Sequence, residues 1–362
     1  MRGVSRRSTD VRAAAICLVL AALFAPAPGQ AQAQASLPTC DPPAYAGIWR
    51  CLHSLEGGAE VSLVIVDLTD AEVRIGMALP GYMDGPVFVE CNSVNHAGAD
   101  PASNCPGDRY PLERIPTMLK RYRRRGAVAA INTDYFGFPD ASHGAEGLAV
   151  QNGVRLDGPG HNPGSGIPFI RSYMAVSPEN QVTFGRLIYG AGRFDLPGEF
   201  FNTVGGGPIL ARQGEVLPDA EACLAEQLTP EVCTREYQTA AGLTAAGDML
   251  VLAVGRHTSG SALAELLVER YGAYTVIKFD GGGSAQMAWL DAPGEVHGFD
   301  AEIEVNDGFR YVAQGLLVFS TPLADEAGNA PAGVEIALAL DERAAQAPLA
   351  DWPACRPAPC GD

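Results

Sequence analysis

Gly272-Ala273-Tyr274-Thr275-Val276-Ile277-Lys278-Phe279-Asp280-Gly281-Gly282-Gly283-Ser284 runs from a helix stop, through an apolar strand, into a glycine loop. Upstream, Leu263, Leu266, Leu267 and Tyr271 fall on one side of a helix predicted from about Ser261 to Tyr271, with Gly272 as its stop. The strand then delivers a carboxylate, three glycines and a hydroxyl within five residues. Glycine lets a ligand approach the backbone N–H groups closely, so Asp280–Ser284 reads as a binding or catalytic loop. A tight turn capped by Asp280 is the ordinary alternative.

The same pattern occurs earlier in the chain. Ile115, Met118, Leu119 and Tyr122 are spaced for a helix, Pro116 suits its first turn and Gly126 its end. Gly126-Ala127-Val128-Ala129-Ala130-Ile131-Asn132-Thr133-Asp134 aligns with Gly272–Asp280, so each Asp lies eight residues beyond a helix-stopping glycine. Each helix also follows a hairpin candidate: the runs Val61–Leu68 and Val73–Leu79 in one case, Thr239–Val254 in the other. The expectation is an internal duplication of a hairpin–helix–strand unit, with Asp134 and Asp280 at matching ends of two strands in one sheet. Chance similarity of two buried strands is the alternative. The fold class is α+β, with a mainly antiparallel or mixed sheet and packed helices.

Outside this region the chain divides by composition. Residues 1–33 read as a secretory signal peptide: Arg2, Arg6, Arg7 and Arg12 precede an apolar run that is too short to span a membrane, and Ala31-Gln32-Ala33 offers a cleavage site. Residues 34–59 form a Pro-rich extension stapled by cysteines, 60–320 the main domain, and 321–362 an Ala/Pro-rich tail with a Cys pair. Apart from Cys17 in the leader, eight cysteines fall into local pairs: Cys40 and Cys51, Cys91 and Cys105, Cys223 and Cys233, Cys355 and Cys360. Four disulfides between these neighbours, in a secreted or periplasmic protein, are the expectation. The formal net charge of −17 argues against nucleic acid as a partner. No segment beyond the leader is apolar and long enough for a membrane span. No Cys–His spacing resembles a zinc site, and the pair His143 and Glu146 is too little for a metal centre. There is no P-loop, dinucleotide fingerprint or Gly-x-Ser-x-Gly elbow.

Several elements then carry a resemblance in order along residues 60–319. They are Ala130-Ile131-Asn132-Thr133-Asp134-Tyr135-Phe136, Glu146–Gly153, Asn202-Thr203-Val204-Gly205-Gly206-Gly207-Pro208, Thr239–Thr244, Asp280–Ser284 and Tyr311–Leu316. The ordered set resembles the phosphodiester glycosidase family. Gln238, Thr133, Asp134 and Lys278 stand where that family's pattern commonly has other residues. The resemblance implies a hydrolase that cleaves the glycosidic bond of a sugar 1-phosphodiester or a related envelope or extracellular glycan. A non-catalytic glycan- or phosphate-binding module on the same fold is the other reading.

The chemistry needs a carboxylate at the anomeric carbon and cations or amides at the departing phosphate. Asp280, Asp134 and Glu146 are the candidate carboxylates. The amides of Gly205, Gly206 and Gly207 and of Gly281, Gly282 and Gly283 are candidate phosphate cradles, with Asn132 and Ser284 as hydrogen-bond donors and Arg171 and Arg256 as neutralising cations. Each has an ordinary alternative. Asp134 and Ser284 can serve as caps, Glu146 as a surface strand residue, Gly205–Gly207 as close packing at Pro208, and the arginines as salt-bridge partners. Tyr135, Phe136, Phe138 and Trp289 offer either sugar stacking or core packing. No cofactor or metal is implied, and a divalent-cation requirement is left open.

Overall fold

The structure is a computed structural model that describes residues 38–80, 90–91, 111–136, 146–155, 169–189, 200–291, 294–300 and 309–323. Among the described residues there are three large sheets and one two-stranded pair, Glu90–Cys91 with Pro111–Leu112, all with antiparallel pairings. The first has eight strands in the order Thr39–Cys40, Ile48–Ser54, Glu60–Asp67, Met249–Arg256, Tyr237–Thr244, Ala273–Phe279, Ile209–Arg212 and Glu215–Val216. The second runs Val296–Asp300, Gln286–Leu290, Ala127–Asn132, Gly315–Phe319 and Arg74–Ala78. The third runs Val182–Tyr189, Phe169–Val176, Asn202–Gly206, Ala149–Gln151 and Val154–Arg155. The mainly antiparallel expectation is met.

The first sheet is covered on both faces, which explains why its strands read as unbroken apolar runs. Strand side chains alternate between faces. Val64, Val66, Leu250, Leu252 and Val254 join one core with Ala129, Ile131, Met287, Ala288, Leu316 and Val318 of the second sheet. Val61, Leu63, Ile65, Val251 and Ala253 join another with Leu263, Ala264 and Leu267 of the Gly260–Tyr271 helix. That helix is capped by Ser259, whose side chain accepts from the Ala262 N–H, and it ends at left-handed Gly272 (φ 66°). The Ile115–Tyr122 helix buries Ile115, Met118, Leu119 and Tyr122, and the short turn after it ends at left-handed Gly126 (φ 91°). Both helix–glycine–strand passages therefore form as the sequence spacing predicts.

The rest of the proposed repeat does not form. Val61–Leu68 and Val73–Leu79 are not a hairpin. Glu60–Asp67 lies in the first sheet between Ile48–Ser54 and Met249–Arg256, whereas Arg74–Ala78 pairs with Gly315–Phe319 in the second. The connection is made of side-chain-capped turns, with Asp67 accepting from the Thr69 N–H at 2.9 Å and Asp70 from the Glu72 N–H at 2.9 Å. It steps from one sheet to the facing one. Tyr237–Thr244 and Met249–Arg256 do pair as expected. The strands leading to Asp134 and Asp280 also belong to different sheets, not to one.

Disulfides join Cys40 to Cys51 and Cys223 to Cys233, as the local pairing predicts. The other two expected pairs lie wholly or partly outside the described residues, as do the leader, residues 324–362, His143 and Phe138. Residues of the N-terminal extension supply the two strands Thr39–Cys40 and Ile48–Ser54 of the first sheet. Among the described residues, no helix is long and apolar enough to cross a membrane.

Candidate functional site

The two Asp-bearing strands come from facing sheets, and their ends are bolted together. The Asp280 N–H donates to the Thr133 carbonyl at 2.7 Å, and Asn132 Nδ2 donates to the Asp280 carbonyl at 2.7 Å. Asn132 Oδ1 accepts from Thr239 Oγ1 at 3.2 Å and from the Gln286 N–H at 2.9 Å. Asn132 is fully buried. It was expected to donate to substrate, but its amide group serves the junction instead. Gln314 acts similarly one step further out: its Oε1 accepts from Thr133 Oγ1 and the Gly205 N–H, and its Nε2 donates to the Leu148 carbonyl.

Asp134 and Asp280 sit in different surroundings. Asp134 is 1% exposed. Its Oδ1 accepts from the Tyr135 N–H at 2.8 Å, and its Oδ2 from the Gly147 N–H. Burial pushes its pKa well above the usual carboxylate range, against the pull of the Gly147 amide, with the charge of Glu146 adding to the rise. Asp280 is half-buried. Desolvation pushes its pKa up to about 6, while Lys278, a hydrogen bond with Ser284 and the charge of Arg310 draw it down. The Glu146 side chain is 33% exposed and pairs with Arg171 at 3.2 Å.

The first glycine triplet does not form an anion cradle. The Gly205 N–H donates to Gln314 and the Gly207 N–H to the Lys278 carbonyl at 2.7 Å, while Gly206 lies in the ladder opposite Ser172. These glycines instead allow close approach. A Cβ at Gly205 would stand 2.3 Å from Asp134 Oδ2, one at Gly206 2.7 Å from the Phe279 ring, and one at Gly207 2.2 Å from Glu226 Oε2. Glu226, which sequence gave no reason to single out, is fully buried and accepts from Ser172 N–H and Oγ and from the Ile209 N–H, with Arg186 at 3.3 Å.

The second triplet remains a candidate cradle. Gly282–Ser284 form a single turn, and among the described residues no acceptor takes the amides of Gly281, Gly282 or Gly283. The cation beside this loop is neither of the expected arginines. Arg171 is held by Glu146 and by the Glu226 carbonyl at 3.0 Å, and Arg256 pairs with Glu60 at 3.2 Å and lies over the Phe299 ring. Arg235 instead reaches the loop. It is exposed, and a Cβ at Gly282 would stand 3.1 Å from its guanidinium. Its position between a short helix and a strand gave no sequence signal.

Lys278 and Tyr135 complete the cluster. Lys278 Nζ donates to Tyr135 Oη at 3.1 Å and to the Phe279 carbonyl at 2.7 Å, and Tyr135 Oη donates to the Gly207 carbonyl at 2.7 Å. Tyr135 is thus tied by its hydroxyl, and Phe136 packs in the core. Trp289 lies further along the Gln286–Leu290 strand, under the Arg50 guanidinium at 4.3 Å and stacked on His297. Asp291, Glu295 and His297 bring possible metal-ligand atoms within 4.8 Å of one another, but on a largely exposed turn beyond the far end of that strand from Ser284.

A sequence model of phosphodiester glycosidases matches residues 125–319, a span that takes in both strand ends and the loops between them. No curated protein sequence matches the chain significantly. Among solved structures, the chain is similar to the zebrafish N-acetylglucosamine-1-phosphodiester alpha-N-acetylglucosaminidase catalytic domain auto-inhibited by its pro-peptide. The identity is 15%, over 80% of this chain and 86% of that one, with a TM-score of 0.49. It is also similar to a hypothetical protein from Synechocystis, at 15% identity over 76% of this chain and 62% of that one, with a TM-score of 0.44. With more than half of its length matched by the family model, the chain belongs to the phosphodiester glycosidase family.

Proposed function

We propose that this glycosidase-type hydrolase cleaves the bond between an anomeric carbon and the phosphate of a sugar 1-phosphodiester, with Asp280 as its central carboxylate. The observation that carries this reading is the partly buried Asp280 beside the Gly281–Gly283 amides, which donate to no acceptor among the described residues. Ionised above about pH 6, it can meet positive charge developing at the anomeric carbon. The loop amides and Arg235 suit the phosphate oxygens, as a nest and a guanidinium fork do. Glu146 is the second carboxylate open to solvent, and Asp134 positions Tyr135 and Gly147 from within. In the overall reaction the C1–O bond breaks and the phosphate oxygen keeps its electron pair. Water oxygen ends on the anomeric carbon, and the water's proton balance passes to the phosphomonoester or to solvent. An exported location agrees with the two disulfides.

The test is hydrolysis of a synthetic sugar phosphodiester by the wild type and by Asp280→Ala, with the corresponding alkyl glycoside as control. The wild type releases reducing sugar and phosphomonoester, and the variant is slower by about 10²-fold or more. A wild type that binds the diester without cleaving it would overturn the reading in favour of a binding module.

A further inference from the structure

The backbone around Arg235 is tied down while its charge is left open. Arg235 ends the short Pro230–Thr234 helix, with its N–H donating to the Glu231 carbonyl at 3.1 Å. The carbonyl of Glu236 accepts from the Thr258 N–H at 2.9 Å, and Cys233 is bonded to Cys223. The Arg235 guanidinium has no hydrogen bond or ion pair among the described residues and stands beside Gly282. The side chain that holds this stretch from below is Gln238, fully buried on the Tyr237–Thr244 strand. Its Nε2 donates to the Arg235 carbonyl at 2.7 Å and to the Cys233 carbonyl at 3.1 Å. Its Oε1 has no hydrogen-bond partner among the described residues and faces the glycine loop: a Cβ at Gly281 would come 3.5 Å from it. A buried carbonyl oxygen without a donor is a cost that an apolar side chain would avoid. What the carboxamide adds is Nε2, and both of its N–H groups go to the stretch that carries Arg235. One side chain thus lies against both parts of the proposed phosphate site.

We propose that Gln238 is a positioning residue for phosphate binding: it fixes the backbone at Arg235 so that the guanidinium meets the phosphate oxygens at the Gly281–Gly283 loop, without itself touching substrate. This rests on the hydrolase reading above. A guanidinium fork binds phosphate directionally, so its anchor matters. With the backbone tied, only the Arg235 side chain has to be ordered when phosphate binds; with the tie removed, the stretch has to be ordered as well, at the expense of affinity. The ordinary role for Gln238 is to satisfy the last carbonyls of the Pro230–Thr234 helix. The two roles part once Arg235 is gone. Helix closure matters whatever stands at position 235, whereas a positioning residue has nothing left to position.

The test is a double-mutant cycle on the full chain, read by calorimetric titration with inorganic phosphate. Arg235→Ala should weaken phosphate binding about tenfold, and Gln238→Met, which keeps the length of the side chain but has no N–H, about threefold to tenfold. The double variant should lose no more than Arg235→Ala alone. On the phosphodiester, Gln238→Met should raise KM by a similar factor and leave kcat within about twofold of the wild type. Titration with the uncharged alkyl glycoside should give the same affinity in all four proteins. Losses that add in the double variant, or a phosphate affinity that Gln238→Met leaves unchanged, would overturn the proposal. If Gln238→Met does not fold, Gln238→Asn decides: its carboxamide is one methylene short of the Arg235 carbonyl and should give the same non-additive loss. The non-additive pattern in a protein that cleaves no diester sinks the hydrolase reading alone. Additive losses in a protein that does cleave it sink this inference alone.

Discussion

At Asp280 the demands of folding and of chemistry oppose each other. Its pKa in the fold is about 6, against about 3.9 for an unfolded carboxyl, so the folded state favours the neutral acid. A carboxyl shifted in this direction adds stability in full below about pH 4, and that contribution is lost as pH rises through about 6. At pH 7, where the reaction wants the carboxylate, Asp280 is a liability to the fold. Asp280→Asn should accordingly melt about 2–4 °C higher than the wild type at pH 7, with the difference gone near pH 4, while its hydrolysis is abolished. Melting curves of both proteins from pH 4 to 8 check this; an Asn variant less stable at pH 7 would mean that the carboxylate is well solvated. Asp134 has the same sign of shift but answers to two backbone donors, Tyr135 N–H and Gly147 N–H. An amide there would turn an NH₂ group toward one of them, so the substitution carries its own penalty.

Between the elements, what matters is how separate pieces of chain are made to meet. The segment closed by Cys223–Cys233 carries Glu226 to Ser172 and Gly207, and Asp219 just before it holds Ser261 N–H at 2.7 Å and Oγ at 3.0 Å at the start of the Gly260–Tyr271 helix. Closing a loop of this length is worth about 3 kcal/mol. The Cys223→Ser, Cys233→Ser double variant should therefore unfold at lower temperature and become insensitive to the reductant-induced loss of stability assigned to this bridge. Calorimetry with and without dithiothreitol measures both. The elements themselves were legible in the sequence, because periodicity reports which faces are buried: Ile115, Met118, Leu119 and Tyr122 form one such face, and Leu263, Leu266, Leu267 and Tyr271 another. Strand partners were not legible. An apolar run such as Val61–Leu68 says that it will be covered, yet nothing in it names Met249–Arg256 as the neighbour. The triplet Gly205–Gly207 likewise announces that side chains are excluded there, but the excluding groups, Asp134, Phe279 and Glu226, arrive from elsewhere in the chain. Lys278 did leave a signal, as a lone charge in a strand buried on both sides.

Across the whole molecule, the charge works against the proposed substrate. The sequence carries a formal net charge of −17, while a phosphodiester is an anion. Its approach is opposed at long range by the general field and favoured only close in, where Arg235 and Lys278 lie beside the Gly281–Gly283 loop. Salt screens these two influences unequally. The Debye length is about 10 Å at 0.1 M, so the diffuse repulsion of distant surface carboxylates is largely removed, while contacts within the partly buried loop persist. Raising ionic strength from about 0.01 M to 0.15 M should therefore increase kcat/KM for the phosphodiester, chiefly through KM, and leave an uncharged glycoside of the same sugar unaffected. This is the reverse of what an enzyme with a matching positive field displays. Steady-state kinetics across that range separate the cases: a fall in kcat/KM with salt would place the decisive cations on the open surface and not at the Gly281–Gly283 loop. The same measurement on Arg235→Gln should keep the upward salt slope while KM rises, since the exposed guanidinium at the loop contributes short-range binding on top of a field set by the rest of the molecule.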